Sequence, residues 1–391
     1  MPSPELTEEA ARQFAICNAC RYCEGYCAVF PAMESRRLFS GADVEYIANL
    51  CHDCRDCYYA CQYAPPHEFA INIPALLGEV RTETYGAHAW PAGDATRRGS
   101  TRSYLALAGI LLSLALVALL GAAGTGAFFT AHHGPGAFYA LLPEWLLDSL
   151  FLVLGLGWIL AWIMSGLGFW RTASGSRWTR PAWPDVVRAL GDSLSLRYLG
   201  GGGAGCDYPS ERPSALRRIF HHLVAYGFLA DLGATTLAAI YDHLLHIPAP
   251  YPLVSPVVLL GSVGGIGILV GSCGLLYLKG YADKDVAGSR LPRMDTAFLV
   301  ALILVAGTGF LLLAFRSTPL LGLLLTLHLA TVGALFLTAP YGKFAHLVYR
   351  FTSLLRFATE ERLAHAHSQE VPDTYPSSDM PVTSDVETGA R

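Results

Sequence analysis

Eight cysteines fall into two runs of identical spacing: Cys17, Cys20, Cys23 and Cys27, then Cys51, Cys54, Cys57 and Cys61. Both read C-x2-C-x2-C-x3-C, the spacing with which thiolates hold four-iron clusters. Three thiolates two residues apart wrap one corner of a cubane, and the fourth reaches a neighbouring cluster. The spacing therefore predicts two [4Fe-4S] clusters. One sits on Cys17, Cys20, Cys23 and Cys61, the other on Cys51, Cys54, Cys57 and Cys27. Structural zinc is disfavoured, because zinc sites usually use paired ligands with longer gaps. Disulfides are disfavoured on the reducing, cytoplasmic side where this segment is expected. The runs depart from the usual pattern at one point: Ala28 and Gln62, not proline, follow the fourth cysteines, and Pro31 and Pro65 come later. Cys206, in a Gly-rich loop, and Cys273, in an apolar segment, read as inert thiols.

Clusters joined to apolar helices need a carrier inside those helices. Haem b on two neutral imidazoles would serve. His221 and His222 stand at the start of the third apolar segment, and His346 stands just past the sixth, on the same side. His221 and His346 are the expected axial pair, with His222 the alternative to His221. His328 precedes His346 by 18 residues, about 27 Å on a continuous helix and on the same face. It opens a second haem site whose partner would be His243 or His246 at the outer end of the third segment. His132 and His133 lie in the first outer loop. Asp231 lies about 15 Å deeper than His221 and serves either a proton path or a structural pair, since buried acids in spans are costly.

The elements that must carry these residues are legible in the charge pattern. Residues 103–143 contain no Asp, Glu, Lys or Arg, and four further stretches between residues 149 and 342 are similarly uncharged. A helix of about 20 apolar residues crosses the hydrocarbon core. Six are expected, near 104–126, 147–170, 219–241, 255–278, 296–315 and 320–342, the last continuing through Phe351. Of 27 Lys and Arg residues, only Arg316 falls on the side opposite the cysteines. The positive-inside rule then places both termini in the cytoplasm, with the chain in the inner membrane. The expected architecture is all-α: a two-cluster domain over 1–103, a six-helix transmembrane domain over 104–351 and a disordered tail over 352–391.

Composition removes several classes. Charged residues make up 15% of the chain and hydrophobic residues 53%, against an average of about 25% charged. A net charge of −4 argues against a nucleic-acid partner. No G-x-G-x-x-G follows a strand, so the chain has no flavin or nicotinamide fingerprint of its own. Gly200–Gly205 reads as a flexible loop. A transporter would show internal repeats, and a redox sensor would need an output domain larger than this tail.

Several segments resemble known families. The helical link Asp43–Leu50 between the runs resembles the all-helical ferredoxin module of heterodisulfide-reductase and succinate-dehydrogenase iron–sulfur subunits. His328–His346 resembles the last haem-binding helix of nitrate-reductase gamma subunits, in which two such histidines serve two haems. With Pro65–Pro74, Gly200–Pro209 and Phe220–Leu223 added, residues 10–360 resemble the tricarballylate-utilisation TcuB family, also called citrate-utilisation B. The C-terminal half of CobZ-type proteins is similar. The TcuB resemblance implies a partner FAD dehydrogenase of the TcuA kind, reoxidised through two [4Fe-4S] clusters and haem b into the membrane quinone pool. Such a chain is the electron-transfer subunit of a flavoprotein:quinone oxidoreductase and carries no catalytic residue. The CobZ resemblance implies an electron-transfer role in precorrin-3B synthesis.

Overall fold

A computed structural model describes residues 2–92, 99–174, 180–201, 205–284, 286 and 291–370. Gly202–Ala204 of the Gly-rich loop and the tail beyond Glu370 lie outside them. Among the described residues the fold is helical, with no sheet and one isolated bridge between Cys206 and Ser214.

Among the described residues, five helices build the cysteine domain: α1 (Pro4–Cys20), α2 (Val29–Glu34), α3 (Gly41–Leu50), α4 (Asp56–Tyr59) and α5 (Ile73–His88). Each begins where local chemistry favours it. Pro4 opens α1 with a fixed φ at a position that needs no N–H partner. Ser40 and Asp43 cap the start of α3 reciprocally. Asn72 accepts from Ala75 N at the start of α5. The first run of cysteines leaves the end of α1, and the second runs from the end of α3 through α4.

Eight helices follow: α6 (Thr101–Phe128), α7 (Glu144–Ser174), α8 (Trp183–Leu194), α9 (Leu216–His243), α10 (Pro256–Gly280), α11 (Leu291–Phe315), α12 (Leu321–Thr338) and α13 (His346–Glu370). Six of them, α6, α7 and α9–α12, contain stretches long and apolar enough to cross a membrane. They match the six segments expected from the charge pattern. The chain is compatible with a multi-pass membrane protein.

Helices α9 and α10 cross with their backbones in contact. A Cβ on Gly227 would stand 2.7 Å from Gly264 O, and one on Gly271 would stand 2.6 Å from Phe220 O. Small residues let these backbones touch, the usual device of packing in membranes. The contact fixes the rotation of α9 and hence the direction in which His221 points.

Two features depart from the sequence reading. The sixth span does not continue into the His346 helix. It ends at Thr338, and the chain passes through Pro340 and a short 3-10 turn, Lys343–Ala345, before α13 starts at His346. Proline cannot donate to the helix and clashes with the preceding turn. The common face expected for His328 and His346 is therefore lost. The stretch from 352, expected to be a disordered tail, is helical through Glu370.

That terminal helix holds the two halves together. Arg36 pairs with Glu360 at 2.7 Å, and Arg356 lies over the Tyr46 ring at 4.2 Å. Tyr85 stacks on Tyr349 with centroids 5.4 Å apart. Phe14, Tyr46, Ile47, Leu77, Phe169, Tyr349 and Phe357 share one buried core. Each such ring or aliphatic side chain contributes about 1.5–3 kcal/mol on burial. Helix α8 fills the opposite flank of α13, where Arg362 reaches Asp185 at 2.8 Å.

Candidate electron-transfer site

The cysteines gather into two sets drawn from both runs. Cys17, Cys20, Cys23, Cys57 and Cys61 line one cavity of about 260 Å³. Burial pushes the Cys17 thiol up to about 12, and the neighbouring Cys61, Cys23 and Cys20 add to the shift. Burial likewise raises the Cys27 thiol to about 12, with Cys51 its chief sulfur neighbour. Cys57 is raised by burial, then by Cys54, Cys51 and Cys27. Such thiols keep their protons until a metal charge compensates the thiolates, so cluster assembly releases protons.

All ten cysteines are free of disulfides. Tetrahedral zinc, with Zn–S bonds of about 2.3 Å, would draw its sulfurs to about 3.8 Å from one another. Among the described residues no three cysteine sulfurs lie within 4.8 Å of each other. The sulfurs are thus more widely spaced than one tetrahedral ion requires, in keeping with thiolates that would each bind a different iron of a four-iron cluster.

The second run is tied to the membrane helices. Arg350, one turn after His346, donates to Cys51 O at 2.7 Å. Arg81 of α5 donates to Ala48 O at 3.0 Å and to Cys51 O at 3.2 Å. Arg217 of α9 donates to Asp53 O. Cys206 is buried, and its thiol donates to Cys54 O at 3.2 Å. It therefore packs beside the second run, and the loop that carries it forms part of the cover. Cys273 is exposed on its helix.

His221 and His346 face one another with ring centroids 6.1 Å apart. A metal bound between two imidazole nitrogens at about 2.0–2.1 Å would put the ring centres roughly 6.3 Å apart. His346 Nδ1 lies 2.5 Å from Lys343 O, which leaves Nε2 to ligate, and such a second bond is how ligating histidines are oriented. His221 Nδ1 is buried without a hydrogen-bond partner. Burial, then Lys343 and Arg350, hold His346 well below its usual range, so the ring is the neutral form that metals bind. Phe344 stacks on Trp158 at 5.2 Å and meets Phe228 at 5.1 Å, an aromatic wall suited to an apolar macrocycle. The donor pair and its surroundings fit a haem.

The other candidate histidines are placed elsewhere. His222 stacks on Tyr226 at 5.6 Å and turns away from His346. His328 Nδ1 lies 3.1 Å from Thr308 Oγ1. His243 sits between Glu144 and Asp148 at 3.6 and 3.5 Å, and these three could jointly hold a cation. It is not brought to His328. Asp231 points at α10, where a Cβ on Gly264 would stand 2.4 Å from its Oδ1.

Residues that the sequence reading passed over include His52, Arg81, Arg217 and Arg350. His52 is buried beside Cys51, with Nδ1 2.8 Å from Leu50 O. A usable signal for Arg350 is its position one helical turn after His346.

Fold and cysteine sets together define an all-helical protein of the iron–sulfur class whose cysteine domain is packed onto helices long and apolar enough to cross a membrane. Family comparison makes the assignment specific. A Citrate utilization protein B model matches residues 96–367, and the Fer4-like domain model of the same family matches residues 10–87. The chain is 45% identical to Citrate utilization protein B of Escherichia coli over 369 residues, covering 91% of this chain and 94% of that protein. It belongs to the citrate utilization protein B family, and the Fer4-like domain gives it an iron–sulfur electron-transfer role. No solved structure matches it.

Proposed function

We propose that the protein takes electrons from a reduced FAD dehydrogenase, of the tricarballylate-dehydrogenase type, and delivers them to membrane quinone. Two [4Fe-4S] clusters and haem b, when bound, supply one-electron carriers between a two-electron donor and a two-electron acceptor. Cys17, Cys20, Cys23 and Cys61 hold one cluster, and Cys27, Cys51, Cys54 and Cys57 hold the other. His221 and His346 hold the haem. Reduced flavin gives up two electrons and two protons; quinone takes up two of each and becomes quinol. The flavoprotein docks on residues 1–103 at the cytoplasmic face of the inner membrane, where the Lys and Arg excess supports both termini.

One observation carries this reading. His346 opens α13, and Arg350 on the next turn binds the carbonyl of the cluster ligand Cys51 at 2.7 Å. The two donor sets are thus joined by one helical turn and one hydrogen bond. His52 lies beside them, within electrostatic reach of Arg350 and His221.

The test mixes reduced flavoprotein with the purified full-length protein anaerobically. Iron–sulfur absorbance should bleach and the haem should show its reduced α band, and added quinone should reverse both. About eight non-haem irons per chain are expected, since each cubane holds four. Stoichiometric zinc with little iron, or quinone reduction at full rate without haem, would overturn the reading.

A further inference from the structure

The two cysteine sets sit in opposite surroundings. The cavity of Cys17, Cys20, Cys23 and Cys61, bordered also by Cys57, is walled by Ile16, Phe30, Ile71 and Ile73, and no arginine lines it. Tyr22 stands at this cavity with 68% of its surface exposed.

Around the second run four guanidiniums converge. Arg81 and Arg350 both donate to Cys51 O, at 3.2 and 2.7 Å. Arg217 donates to Asp53 O and lies 3.7 Å from Cys206 Sγ. Arg55, inside the run, donates to Asp283 O at 3.0 Å. These bonds go to carbonyls, which carry no net charge. Asp53 is 3.8 Å from both Arg55 and Arg217, a loose pair in each case. Asp56 accepts from Asp207 N at 3.0 Å and supplies a second negative charge nearby. Asp207 and Asp283 stand at the same edge, so what sets this run apart is the guanidiniums placed at Cys51 O and Asp53 O, which the first cavity lacks. The Nε atoms of Arg55, Arg81 and Arg350 are also buried without acceptors. A buried N–H left without an acceptor is costly, and three of them around the Cys51 turn fit an anion held there.

We infer that these arginines make the cluster on Cys27, Cys51, Cys54 and Cys57 the higher-potential member of the pair. This rests on the two-cluster reading above and adds the direction of transfer. Reduction adds one negative charge and no proton. A nearby guanidinium in a low-dielectric surround stabilises the added charge, and potential follows charge and hydrogen bonding around the cluster. The set at the exposed rim lacks this help. Electrons from the flavoprotein enter at the Cys17 set, which is then reoxidised as the Cys51 set is reduced. They settle beside His221 and His346.

The test is an EPR-monitored redox titration of the full-length protein in detergent, with dithionite as reductant. Two one-electron cluster transitions are expected, the higher being the one whose signal Cys57→Ser alters. Arg350→Gln should move that transition to lower potential and leave the other in place. Arg350→Lys, which keeps the charge, should recover most of the shift. If Arg350→Gln fails to assemble the cluster, Arg217→Gln reaches the same turn from the membrane helix and should produce the same displacement. A higher potential for the cluster sensitive to Cys61→Ser, or no shift in either glutamine variant, overturns the inference and leaves the relay standing. Fewer than two clusters by iron content and EPR overturns both.

Discussion

The two ends of the helical bundle use the same residue type to different ends. At the cysteine-bearing end His221 and His346 face each other across 6.1 Å, and His346 is oriented by Lys343 O. At the far end His243 lies between two carboxylates, with 48% of its side chain exposed. His328, deeper in the bundle, rests against Thr308, whose hydroxyl is 3.2 Å from that of Thr331. A bis-imidazole haem site needs two imidazoles aimed at one another, and a carbonyl on the far nitrogen orients a ligating ring. The cysteine-bearing end has the facing pair, with His346 so oriented. Among the described residues the far end has no second imidazole facing His243, and the structure supplies one facing pair where the sequence allowed two.

The largest effect should come from breaking that pair. His346→Ala removes one of the two proposed haem ligands from an apolar site, and b-type absorbance should be lost from the purified protein. His221→Ala should do the same. His222→Ala should keep a full low-spin spectrum, because its ring is stacked on Tyr226. Clusters in the His346→Ala protein should still fill from reduced flavoprotein while quinone is reduced slowly. A full haem spectrum in that variant would remove the asymmetry between the two ends.

Next in size is the latch that makes the cysteine-bearing end one unit. Glu360 accepts from Arg36, Arg356 and the Tyr46 hydroxyl. Glu360→Gln removes the charge that faces two buried guanidiniums, and Asp43 compensates only in part. A cost of about 1–3 kcal/mol is expected for a buried group left underpartnered. Thermal unfolding followed by cluster absorbance should shift down, with haem retained until the helices melt. An unchanged transition would mean that the shared apolar core alone joins the two halves.

These elements were not equally legible in the sequence. The cysteine runs and the six spans are local patterns, so spacing and charge alone reveal them. The end of α12 was also written locally, in Pro340 and Gly342, but the expectation of a continuous helix gave His328 and His346 one face they do not share. Helix α13 was hidden for another reason. Arg356, Glu360 and Arg362 look like a polar tail until their partners are known, and Arg36 is 324 residues away from Glu360. Separation in sequence also hid Arg81, Arg217 and Arg350, which stand 30, 164 and 299 residues from the carbonyls they bind. Their meaning comes from converging on Cys51–Asp53 out of three different helices.

Haem stoichiometry in His328→Leu should stay that of the wild type. The ring makes its hydrogen bond to Thr308, and His243 at the far end is committed to Glu144 and Asp148. Removing it leaves Thr308 able to bond Leu304 O at 2.7 Å and Thr331 at 3.2 Å. The cost should therefore be about 1 kcal/mol of one lost hydrogen bond, visible as a small fall in melting temperature. A loss of half the haem would instead show that a second site forms with a partner the structure does not bring to it.

The smallest effect belongs to His243→Ala. The side chain is about half exposed, and its carboxylate neighbours are similarly open to solvent. Exposed ion pairs contribute about 0–1 kcal/mol, because water competes for both charges. Haem content, cluster content and quinone reduction should all match the wild type, and the melting temperature should move by little. The variant is nevertheless the sharpest control on the comparison. It removes an imidazole from the same helix, α9, that carries His221, so a nonspecific effect of editing that helix would register in it. If His243→Ala lowers haem absorbance as His346→Ala does, the pairing at the cysteine-bearing end is not what holds the macrocycle. The far end would then have to contribute a ligand.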